Sequence, residues 1–485
     1  MAYKVSSELE KLFGRLIGAE KERIYSQIGE QLPHTFRFNT LKGGIESLTE
    51  LLREQGFLFE KMQGLQNIFR IQHQPYPIGR SLSHFLGHIY VQDLASMIPP
   101  LVLNPQPNDW VLDMSAAPGS KTTQLAELMQ NQGVILANDV VMKRIRSLTT
   151  NLTRMGIINT AVFRWKGERF GNQYFEKFDK VLLDPACTGL GTLHKSPEVL
   201  SWWTPKHCER MAALQKRLIE SAVKALRPGG ELCYSTCTLT PQENEEVIDF
   251  ALKKFPVELE KVNIPVLKTR SGLTKFNGKP YNPELNRAAR FYPFDNDSEG
   301  FFIAKLIKSD KIRRLSQKKK GEQHDISLLT SRRSPVKKYL DYLSVQFDIP
   351  LSVFSEYVYL FRRNIVLSSK EMINFPFLSR PIHAGLTVAC PTDRGAKLTT
   401  EGTHFFYNSC GKNTIELHEV KSLDKFVNRD QMNIEVGGAG QKLVKYKGIM
   451  IGYGLVDSGL LKSQFPKAEW PFIIEIINGD PTRSD

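Results

Sequence analysis

Two cysteines in the middle of the chain stand where thiol chemistry can take place. Cys187 follows an apolar run at residues 180–184, and Cys237 follows another at residues 231–235. Both runs are typical of buried strands in a parallel sheet, and ligands bind beyond the carboxyl ends of such strands. We therefore expect both thiols to reach one cleft, where a thiolate could act as a covalent nucleophile.

The residues after Cys237 favour an activated thiol. Thr-Pro-Gln-Glu at residues 240–243 has the form of a capping box that starts a helix. Free N–H groups at a helix N-terminus lower the pKa of a nearby thiol from its usual value of about 8.5. No Cys-x-x-Cys pair with zinc spacing is present, so no metal site is predicted. The cysteines expected to be small buried residues are Cys208, Cys233, Cys390 and Cys410.

A turn rich in small residues lies upstream of both cysteines, at residues 113–121. It joins a predicted strand to a predicted helix, where small side chains and free N–H groups let the backbone approach a nucleoside-containing ligand. The turn is not a P-loop, because Ser120 stands where a glycine must precede the lysine. Asp139 ends the next predicted strand and is placed to bind ribose hydroxyls, unless it only caps the following helix.

Alternating strands and helices must position these residues. Between residues 104 and 308 the alternation predicts βαβ units and a parallel sheet covered on both faces. A helix over residues 205–226 is expected to have Thr204 as its N-cap. The other predicted helices cover residues 122–130 and 141–154. The predicted strands cover residues 110–113, 134–139, 160–163, 180–184, 231–235 and 301–306.

The regions on either side of this core have different patterns. The segment before it is mostly helical in pattern, with one extended piece at residues 36–42. After it comes a basic stretch with Lys318-Lys319-Lys320, expected to be a linker or mobile loop, and then a predicted helix over residues 336–367. Gly-rich and short β-like segments at residues 376–477 favour a small β-barrel. The predicted parts are residues 1–103, 104–308, 309–375 and 376–485.

The composition narrows the class of partner. The chain has 485 residues, a formal charge of +14 and 41% apolar residues, so it can bury several cores. The basic surplus indicates an anionic partner, of which nucleic acid is the commonest large one; the alternative is a protein that is simply basic. The first residues lack a signal-peptide core, and no apolar run of about 18 residues could span a bilayer. We expect a cytoplasmic protein with reduced cysteines.

These motifs resemble those of the Nop/Sun family of RNA cytosine-5 methyltransferases. The resemblance runs from about residue 36 to residue 306. Its motifs are Arg-Phe-Asn-Thr-Leu-Lys at 37–42, Gln-Asp-Leu-Ala-Ser at 92–96, Ala-Ala-Pro-Gly-Ser-Lys at 116–121, the loop 184–191, Ser-Thr-Cys at 235–237 and the stretch 290–302. It implies a Rossmann-like class I core that uses S-adenosylmethionine, with an N-terminal α/β extension and a C-terminal PUA-like RNA-binding barrel.

The resemblance also implies a covalent mechanism. Carbon 5 of cytosine is a poor nucleophile until a thiolate adds at carbon 6, and a proton must leave carbon 5 before the thiol can depart. Cys237 would be the nucleophile, Cys187 would assist product release, and Asp184 would contact the target base or the methionine end of the cofactor. The residues expected to bind S-adenosylmethionine are Ser115, Ala116, Ala117, Pro118, Gly119, Ser120, Lys121, Asp139, Arg144 and Asp184.

The chain departs from the family pattern at two places. Residues 184–187 are Asp-Pro-Ala-Cys, where the family has Asp-Pro-Cys or Asp-Ala-Pro-Cys. DNA cytosine methyltransferases use the cysteine of a Pro-Cys pair in this loop, whereas the Ser-Thr-Cys turn is of the RNA type. The family also has an Asp-Gly-Arg motif for the adenine amino group, but Lys166 stands here and cannot accept that hydrogen bond. Backbone and apolar contacts would then hold the adenine, or Glu168 would, or the cofactor would bind weakly.

Within the family the chain is most similar to bacterial enzymes that modify small-subunit ribosomal RNA. The similarity lies in residues 116–124, in His-Ala-Gly-Leu at 383–386 and in Gly-Leu-Leu-Lys at 459–462. It implies that a monomer without a metal forms 5-methylcytosine in 16S rRNA of the small subunit, with Arg and Lys side chains along the phosphates. Three alternatives remain: a transfer-RNA enzyme, a non-catalytic ribosome-assembly factor, and an S-adenosylmethionine enzyme for another target, such as an exocyclic amine, that would not need Cys237.

Overall fold

The computed structural model describes residues 5–264, 267–313, 326–434 and 438–467. Its helices are α1 (Ser7–Ile17), α2 (Lys21–Ser26), α3 (Ile45–Glu54), α4 (Leu82–Phe85), α5 (Leu94–Leu103), α6 (Ser120–Leu128), α7 (Met142–Met155), α8 (Phe170–Gln173), α9 (Val199–Trp202), α10 (Pro205–Ala225), α11 (Glu245–Lys254), α12 (Pro293–Asn296), α13 (Val336–Phe347), α14 (Leu351–Ser355), α15 (Thr400–Phe406) and α16 (Val420–Val427).

The strands in the first part of the chain are β1 (Thr35–Phe38), β2 (Leu58–Lys61), β3 (Ile68–His73), β4 (Ile89–Val91), β5 (Trp110–Asp113), β6 (Val134–Asn138), β7 (Thr160–Phe163), β8 (Phe178–Leu183), β9 (Leu226–Thr236), β10 (Val257–Glu260), β11 (Arg270–Ser271), β12 (Lys275–Phe276), β13 (Lys279–Pro280), β14 (Ala289–Phe291) and β15 (Phe301–Lys308). Those that follow are β16 (Leu329–Thr330), β17 (Tyr357–Phe361), β18 (Ile365–Ser369), β19 (His383–Ala384), β20 (Leu386–Thr392), β21 (Gly395–Leu398), β22 (Thr414–Leu417), β23 (Gln431–Asn433), β24 (Gly440–Tyr446), β25 (Ile449–Asp457) and β26 (Leu460–Ser463).

A ten-stranded sheet lies at the centre of the fold, with the order β11-β14-β15-β9-β8-β5-β6-β7-β19 and with β10 paired to β15. Its strands β9, β8, β5, β6 and β7 are parallel, as the sequence predicts. The N-cap prediction is also confirmed, because the Thr204 side chain accepts a hydrogen bond from the His207 N–H at the start of α10. Asp139 and Asp184 lie one position past β6 and β8, at the edge where the carboxyl ends of the parallel strands meet.

The N-terminal region contains an antiparallel sheet with the order β2-β3-β1-β4. The prediction of a mostly helical segment with one extended piece is therefore wrong, since three further strands are present. These strands are short, and β2 buries only one of its four residues, Phe59. A strand of this kind has no long apolar run by which the sequence could reveal it.

A buried ion pair joins this N-terminal sheet to the core. Arg37, on β1, is only 2% exposed and pairs with Glu127, on α6. Its guanidinium also donates to the Thr123 hydroxyl at 2.6 Å and to the Ser120 carbonyl at 3.1 Å. Because α6 begins directly after the small-residue turn, the N-terminal sheet helps to fix the position of that turn.

The C-terminal part contains two five-stranded sheets, with the orders β16-β17-β18-β20-β21 and β22-β24-β25-β26-β23. The prediction of one helix over residues 336–367 is wrong, because α13 and α14 are followed by β17 and β18. The expected boundary between residues 375 and 376 falls between β18 and β20, which pair with each other. The Lys318–Lys320 run and residues 468–477 lie outside the described residues.

One further contact lies at the edge of the central sheet. The short strand β19 pairs with β7, so the chain returns to the edge of the central sheet after β18.

In the part of the chain that the structure describes, no helix combines the length and the apolar character that a membrane crossing requires.

Replacing Arg37 with methionine is expected to lower the free energy of unfolding by about 3–5 kcal/mol, because Glu127 would remain buried without its partner. Urea denaturation measures the change. Lys370→Met is the matched control, since Lys370 forms an exposed pair with Glu356 and exposed pairs contribute little. Equal losses in the two variants would contradict the structural role of the Arg37 pair.

Candidate active site

Two neighbouring strand ends bring Cys187 and Cys237 together. Strands β8 and β9 are parallel partners, with Leu182 opposite Cys233. Cys237 follows β9 directly, and Cys187 lies in the loop after β8. Their Sγ atoms are 3.1 Å apart, and both residues are half-buried. The Asp-Pro-Ala-Cys departure therefore does not move Cys187 away from the cleft.

A buried carboxylate joins the two cysteine loops. Glu243 is 0% exposed and accepts hydrogen bonds from the Thr188 backbone N–H at 2.9 Å and from the Thr240 hydroxyl at 2.8 Å. Gln215, on α10, donates to the same carboxylate at 3.0 Å. The Thr188 and Thr238 hydroxyls, each beside one of the cysteines, are 2.9 Å apart. These contacts fix the residues that follow the two cysteines.

The predicted capping box is wrong, and the role of Glu243 was missed with it. In a capping box the Glu243 carboxylate would accept from the Thr240 backbone N–H, but it turns instead toward Thr188. Helix α11 begins only at Glu245. A buried carboxylate needs several hydrogen-bond donors, and two of those that bind Glu243 belong to Thr188, in the loop after β8.

A close backbone contact supports Cys237 from a third segment. The Gly191 N–H donates to the Cys237 carbonyl at 2.9 Å, and the Gly300 N–H donates to the Gly191 carbonyl at 2.9 Å. A Cβ atom at Gly191 would lie 1.9 Å from the Gly300 oxygen, so no other residue fits at this position. The stretch before β15 thus holds the cysteine loops in place.

A charged pair lies beside the cysteines. The Lys121 ammonium donates to Asp184 Oδ2 at 2.7 Å and to the Ser96 hydroxyl at 3.0 Å. The Ser235 hydroxyl donates to the other oxygen, Asp184 Oδ1, at 2.8 Å. Burial alone would lower the pKa of Lys121, but the Asp184 carboxylate raises it above its ordinary value. Lys121 is therefore a lasting positive charge in the cleft.

The electrostatics of the site distinguish the two thiols. A hydrogen bond from Cys187 lowers the pKa of Cys237 against the opposing effects of burial and of the Asp184 carboxylate. The positive charges of Lys121 and Lys195 also lower it. The same hydrogen bond, together with burial, raises the pKa of Cys187 well above its ordinary value. The lowered pKa favours the thiolate at Cys237, and the raised pKa favours the thiol at Cys187. The helix N–H groups expected to activate Cys237 are not the cause, because α11 starts well after it.

The small-residue turn follows β5 as predicted, and α6 begins at Ser120. The Ala116 N–H donates to the Asn138 carbonyl at 2.8 Å, which holds the turn against the end of β6. Gly119 has a φ of 108°, and a Cβ atom there would lie 3.0 Å from Leu148 Cδ1. Burial raises the pKa of Asp113, below the turn, to about 7, and the Thr122 hydroxyl donates to its carboxylate at 2.7 Å.

Asp139 contacts both the following helix and the turn region. Its Oδ1 accepts from the Val141 N–H at 2.9 Å, which is the capping contact considered as the alternative role. Its Oδ2 is 3.2 Å from Arg144, and Arg144 also donates to the Ala117 carbonyl. Asp139 and Arg144 thereby connect the start of α7 with the small-residue turn.

After β7 this chain has Lys166 where the family has the aspartate that binds the adenine amino group. The described side chains nearby offer no free acceptor to replace it. Lys166 is exposed. Glu168 lies 3.6 Å from Arg217, on α10, and so is engaged in an ion pair. The Asn138 side chain is bound at both ends to the Trp165 backbone, with its Oδ1 accepting from the N–H and its Nδ2 donating to the carbonyl.

An exposed apolar segment follows Asp139. Val140, Val141 and Met142 are 50%, 44% and 38% exposed. Large apolar side chains side by side at the end of a strand offer a surface for a flat, apolar ligand face.

The remaining cysteines differ from one another in burial. Cys208 and Cys233 are buried, as predicted. Cys390 and Cys410 are half-buried, so the prediction of full burial is wrong for both. Cys390 lies in β20, and Cys410 lies in the loop that leads to β22.

An acidic cluster lies next to the backbone contact between Gly300 and Gly191, and the sequence does not predict it. Single ligand atoms of Asp93, His194 and Glu299 lie within 4.8 Å of one another. Glu299 pairs with Lys195, and the Asp93 carboxylate accepts from the Ala95 N–H at 2.9 Å. Burial raises the pKa of Asp93 to about 6. Because these carboxylates already have donors, the cluster serves to hold the segment before Gly300 against α5.

Solved structures with the same architecture identify the class of the protein. A methyltransferase homologue from Pyrococcus horikoshii is 39% identical, has a TM-score of 0.57 and matches 62% of this chain and 95% of its own. NSun6 from Pyrococcus horikoshii, solved with SFG, is 26% identical, has a TM-score of 0.57 and matches 64% of this chain and 100% of its own. Fold and site together define a Rossmann-like methyltransferase, a class that uses S-adenosylmethionine.

Sequence comparisons give the family. The model of the 16S rRNA methyltransferase RsmB/F family matches residues 100–307. Ribosomal RNA small subunit methyltransferase F from Shewanella piezotolerans is 31% identical over 92% of this chain and 93% of its own length. The tRNA (cytosine(49)-C(5))-methyltransferase of Pyrococcus abyssi is 40% identical over 63% of this chain and 97% of its own length. The chain belongs to the RsmB/F family and is an RNA cytosine-C5 methyltransferase.

The pH dependence of alkylation tests the assignment of the two thiols. Cys237 is expected to react with iodoacetamide with a midpoint below the ordinary thiol value of about 8.5, and its reaction should slow as the pH falls through that lowered pKa. Replacing Cys187 with alanine removes the hydrogen bond and should raise the midpoint. Peptide mass spectrometry measures both rates.

The control in the same samples is Cys410, because burial raises its pKa to about 11 and its alkylation should require higher pH. A Cys237 midpoint that does not move in the Cys187→Ala protein would contradict the proposed hydrogen bond.

Proposed function

We propose that the chain methylates carbon 5 of a cytosine in 16S rRNA through a covalent bond between Cys237 and carbon 6 of the base. The observation that carries this proposal is the geometry of the two sulfurs, 3.1 Å apart, beside the Lys121–Asp184 pair. Cys237 acts as the nucleophile, Cys187 assists product release, and Asp184 contacts the base.

The first step is addition of the Cys237 thiolate to carbon 6, which makes carbon 5 nucleophilic. Negative charge develops on the ring toward N3 and O2. The Lys121 ammonium lies in the cleft and can donate to that edge, while Asp184 keeps it in place. Charged donors that are already oriented before the reaction stabilise such developing charge at little reorganisation cost.

The product leaves when a water molecule takes the proton from carbon 5, the C–H electron pair forms the double bond between carbons 5 and 6, and the bond between carbon 6 and sulfur breaks. The electron pair of that bond returns to the Cys237 sulfur. Cys187 remains protonated because its pKa is raised, so its S–H can donate to the departing sulfur. This contact stabilises the thiolate as a leaving group and explains why two cysteines are needed for a complete cycle.

Residues 115–121 fit the methionine end of S-adenosylmethionine, because the turn is made of small residues and precedes a helix N-terminus. In this proposal Asp139 binds the ribose hydroxyls, and its contact with Arg144 supports that orientation. The adenine is held by apolar contacts, in place of the hydrogen bond to the aspartate of the family's Asp-Gly-Arg motif. The side chains that make these contacts are Val140, Val141 and Met142. The cofactor supplies the methyl group that carbon 5 accepts.

The substrate assignment rests on how much of the chain the relatives match. Small-subunit methyltransferase F proteins match 90% or more of this chain, including the C-terminal sheets. The tRNA methyltransferase relative matches only 63% of it. We assign the C-terminal region with the two five-stranded sheets, from β16 to β26, to a PUA-like RNA-binding domain that holds the small subunit. Transfer RNA is the second candidate substrate because that relative is the more identical one.

Methyl transfer to three RNAs tests both the chemistry and the substrate. Labelled methyl groups from S-adenosylmethionine are offered to tRNA, naked 16S rRNA and assembled 30S particles, with nucleoside analysis of the product. The wild-type protein should form 5-methylcytosine on 16S rRNA or 30S particles. Cys237→Ala should reduce turnover by at least about 1,000-fold while cofactor binding stays nearly unchanged.

Cys410→Ser, in the C-terminal region, is the control that should retain activity. A product on tRNA alone would overturn the substrate assignment and keep the mechanism. Retained turnover in the Cys237→Ala protein would overturn the mechanism.

Replacing Cys187 with alanine should slow product release, because the departing sulfur loses its hydrogen-bond donor. A covalent protein–RNA adduct should then accumulate when cofactor and substrate are both present. It appears as a slower band in a denaturing gel and disappears after nuclease digestion. The double variant Cys187→Ala/Cys237→Ala should give no band; a band in that protein, or none in the single variant, would remove this role from Cys187.

A further inference from the structure

The contact between the two active-site sulfurs makes a second chemistry available at the same place. We propose that Cys187 and Cys237 form a reversible oxidation site, at which a peroxide converts the two thiols into a disulfide and a small dithiol restores them. The disulfide itself depends only on the geometry of the chain. Its consequence, loss of methyl transfer, rests on the function proposed above.

The geometry needs little change for the bond to form. The sulfurs are 3.1 Å apart, and a disulfide requires about 2.05 Å, so an approach of about 1 Å is enough. The loops that carry them are fixed to each other next to the sulfurs, since the Thr188 and Thr238 hydroxyls are 2.9 Å apart and Glu243 binds Thr188. The two cysteines follow neighbouring parallel strands, so the loops cannot drift apart without disturbing the sheet.

The chemistry balances in two steps. The Cys237 thiolate attacks one oxygen of hydrogen peroxide, the O–O bond breaks, and Cys237 becomes a sulfenic acid as hydroxide leaves. The Cys187 sulfur then attacks the Cys237 sulfur, forming the S–S bond and displacing hydroxide, which takes up the proton of the Cys187 thiol. In sum, two thiols and one peroxide give one disulfide and two waters.

The other cysteines are poor competitors for the peroxide. Cys208 and Cys233 are buried, and burial raises their thiol pKa values. The pKa values of Cys390 and Cys410 are also raised, chiefly by burial. A low thiolate fraction slows oxidation, whereas Cys237 combines a lowered pKa with partial exposure and a partner sulfur in contact.

The disulfide would inhibit methyl transfer and would also protect the Cys237 sulfur from irreversible oxidation. A lone sulfenic acid at Cys237 can be oxidised further to sulfinic acid, which small thiols do not reverse. Capture by Cys187 prevents that loss and keeps the enzyme recoverable. In a covalent complex with RNA the Cys237 sulfur is already bonded to carbon 6, so the pair cannot be oxidised during turnover.

The test uses the full-length protein without RNA or cofactor. Mild hydrogen peroxide treatment should lower the intact mass by about 2 Da and remove two of the six free thiols, and dithiothreitol should restore both. Peptide mapping without reduction should find the peptide of Cys187 linked to that of Cys237. Methyl transfer by the oxidised protein should fall at least about tenfold and recover with dithiothreitol.

Two variants are compared with the wild type. Cys390→Ser should behave as the wild type in the mass and mapping experiments. Cys187→Ser should show no loss of about 2 Da, and its Cys237 should instead gain oxygen and become resistant to dithiothreitol. Sulfinic acid at Cys237 of the wild-type protein with Cys187 still free, or a linkage between other cysteines, would overturn the proposal. A mapped disulfide in a protein without methyl transfer to any RNA would keep this proposal and reject the proposed function alone.

Discussion

The burial of Glu243 is the constraint on which the active site depends. A carboxylate with no exposure must find donors inside the protein, and leaving one unpaired costs several kcal/mol. Glu243 obtains them from Thr188, in the loop of Cys187, and from Thr240, in the loop of Cys237, with Gln215 as a third partner. The same interaction that satisfies the buried charge therefore brings the two thiols into contact.

The charged groups in the cleft then determine how the two thiols differ. The Lys121 ammonium is held by Asp184, so the cleft keeps a positive charge and a carboxylate side by side near Cys237. In the proposed mechanism, a hydrogen bond from Cys187 favours the thiolate on Cys237 before addition and stabilises the same sulfur when it departs. One hydrogen bond would thus serve both ends of the proposed cycle, and the same contact between the sulfurs underlies the proposed oxidation.

The sequence predicts the features that depend on local patterns. Apolar runs revealed the parallel strands, and the strand ends placed Cys187 and Cys237 in one cleft; Thr204 was recognisable as an N-cap by its position before a proline. Features set by distant contacts were not predictable. Glu243 matches a capping box locally, but its donor Thr188 lies far away in the chain. Strand β2 buries too few residues to show an alternating apolar pattern, and the apolar residues of β17 and β18 favour a helix in the sequence although they form strands.

The most direct test of the account is to locate the bond between protein and RNA. Fluorine in place of the hydrogen at carbon 5 cannot leave as a proton, so a substrate RNA containing 5-fluorocytidine should hold the wild-type enzyme in its covalent intermediate. Digestion with protease and nuclease, followed by tandem mass spectrometry, then identifies the linked residue. The account predicts a methylated fluorocytosine attached to Cys237. Attachment to Cys187, or no covalent product from an RNA whose ordinary form is methylated, would contradict it.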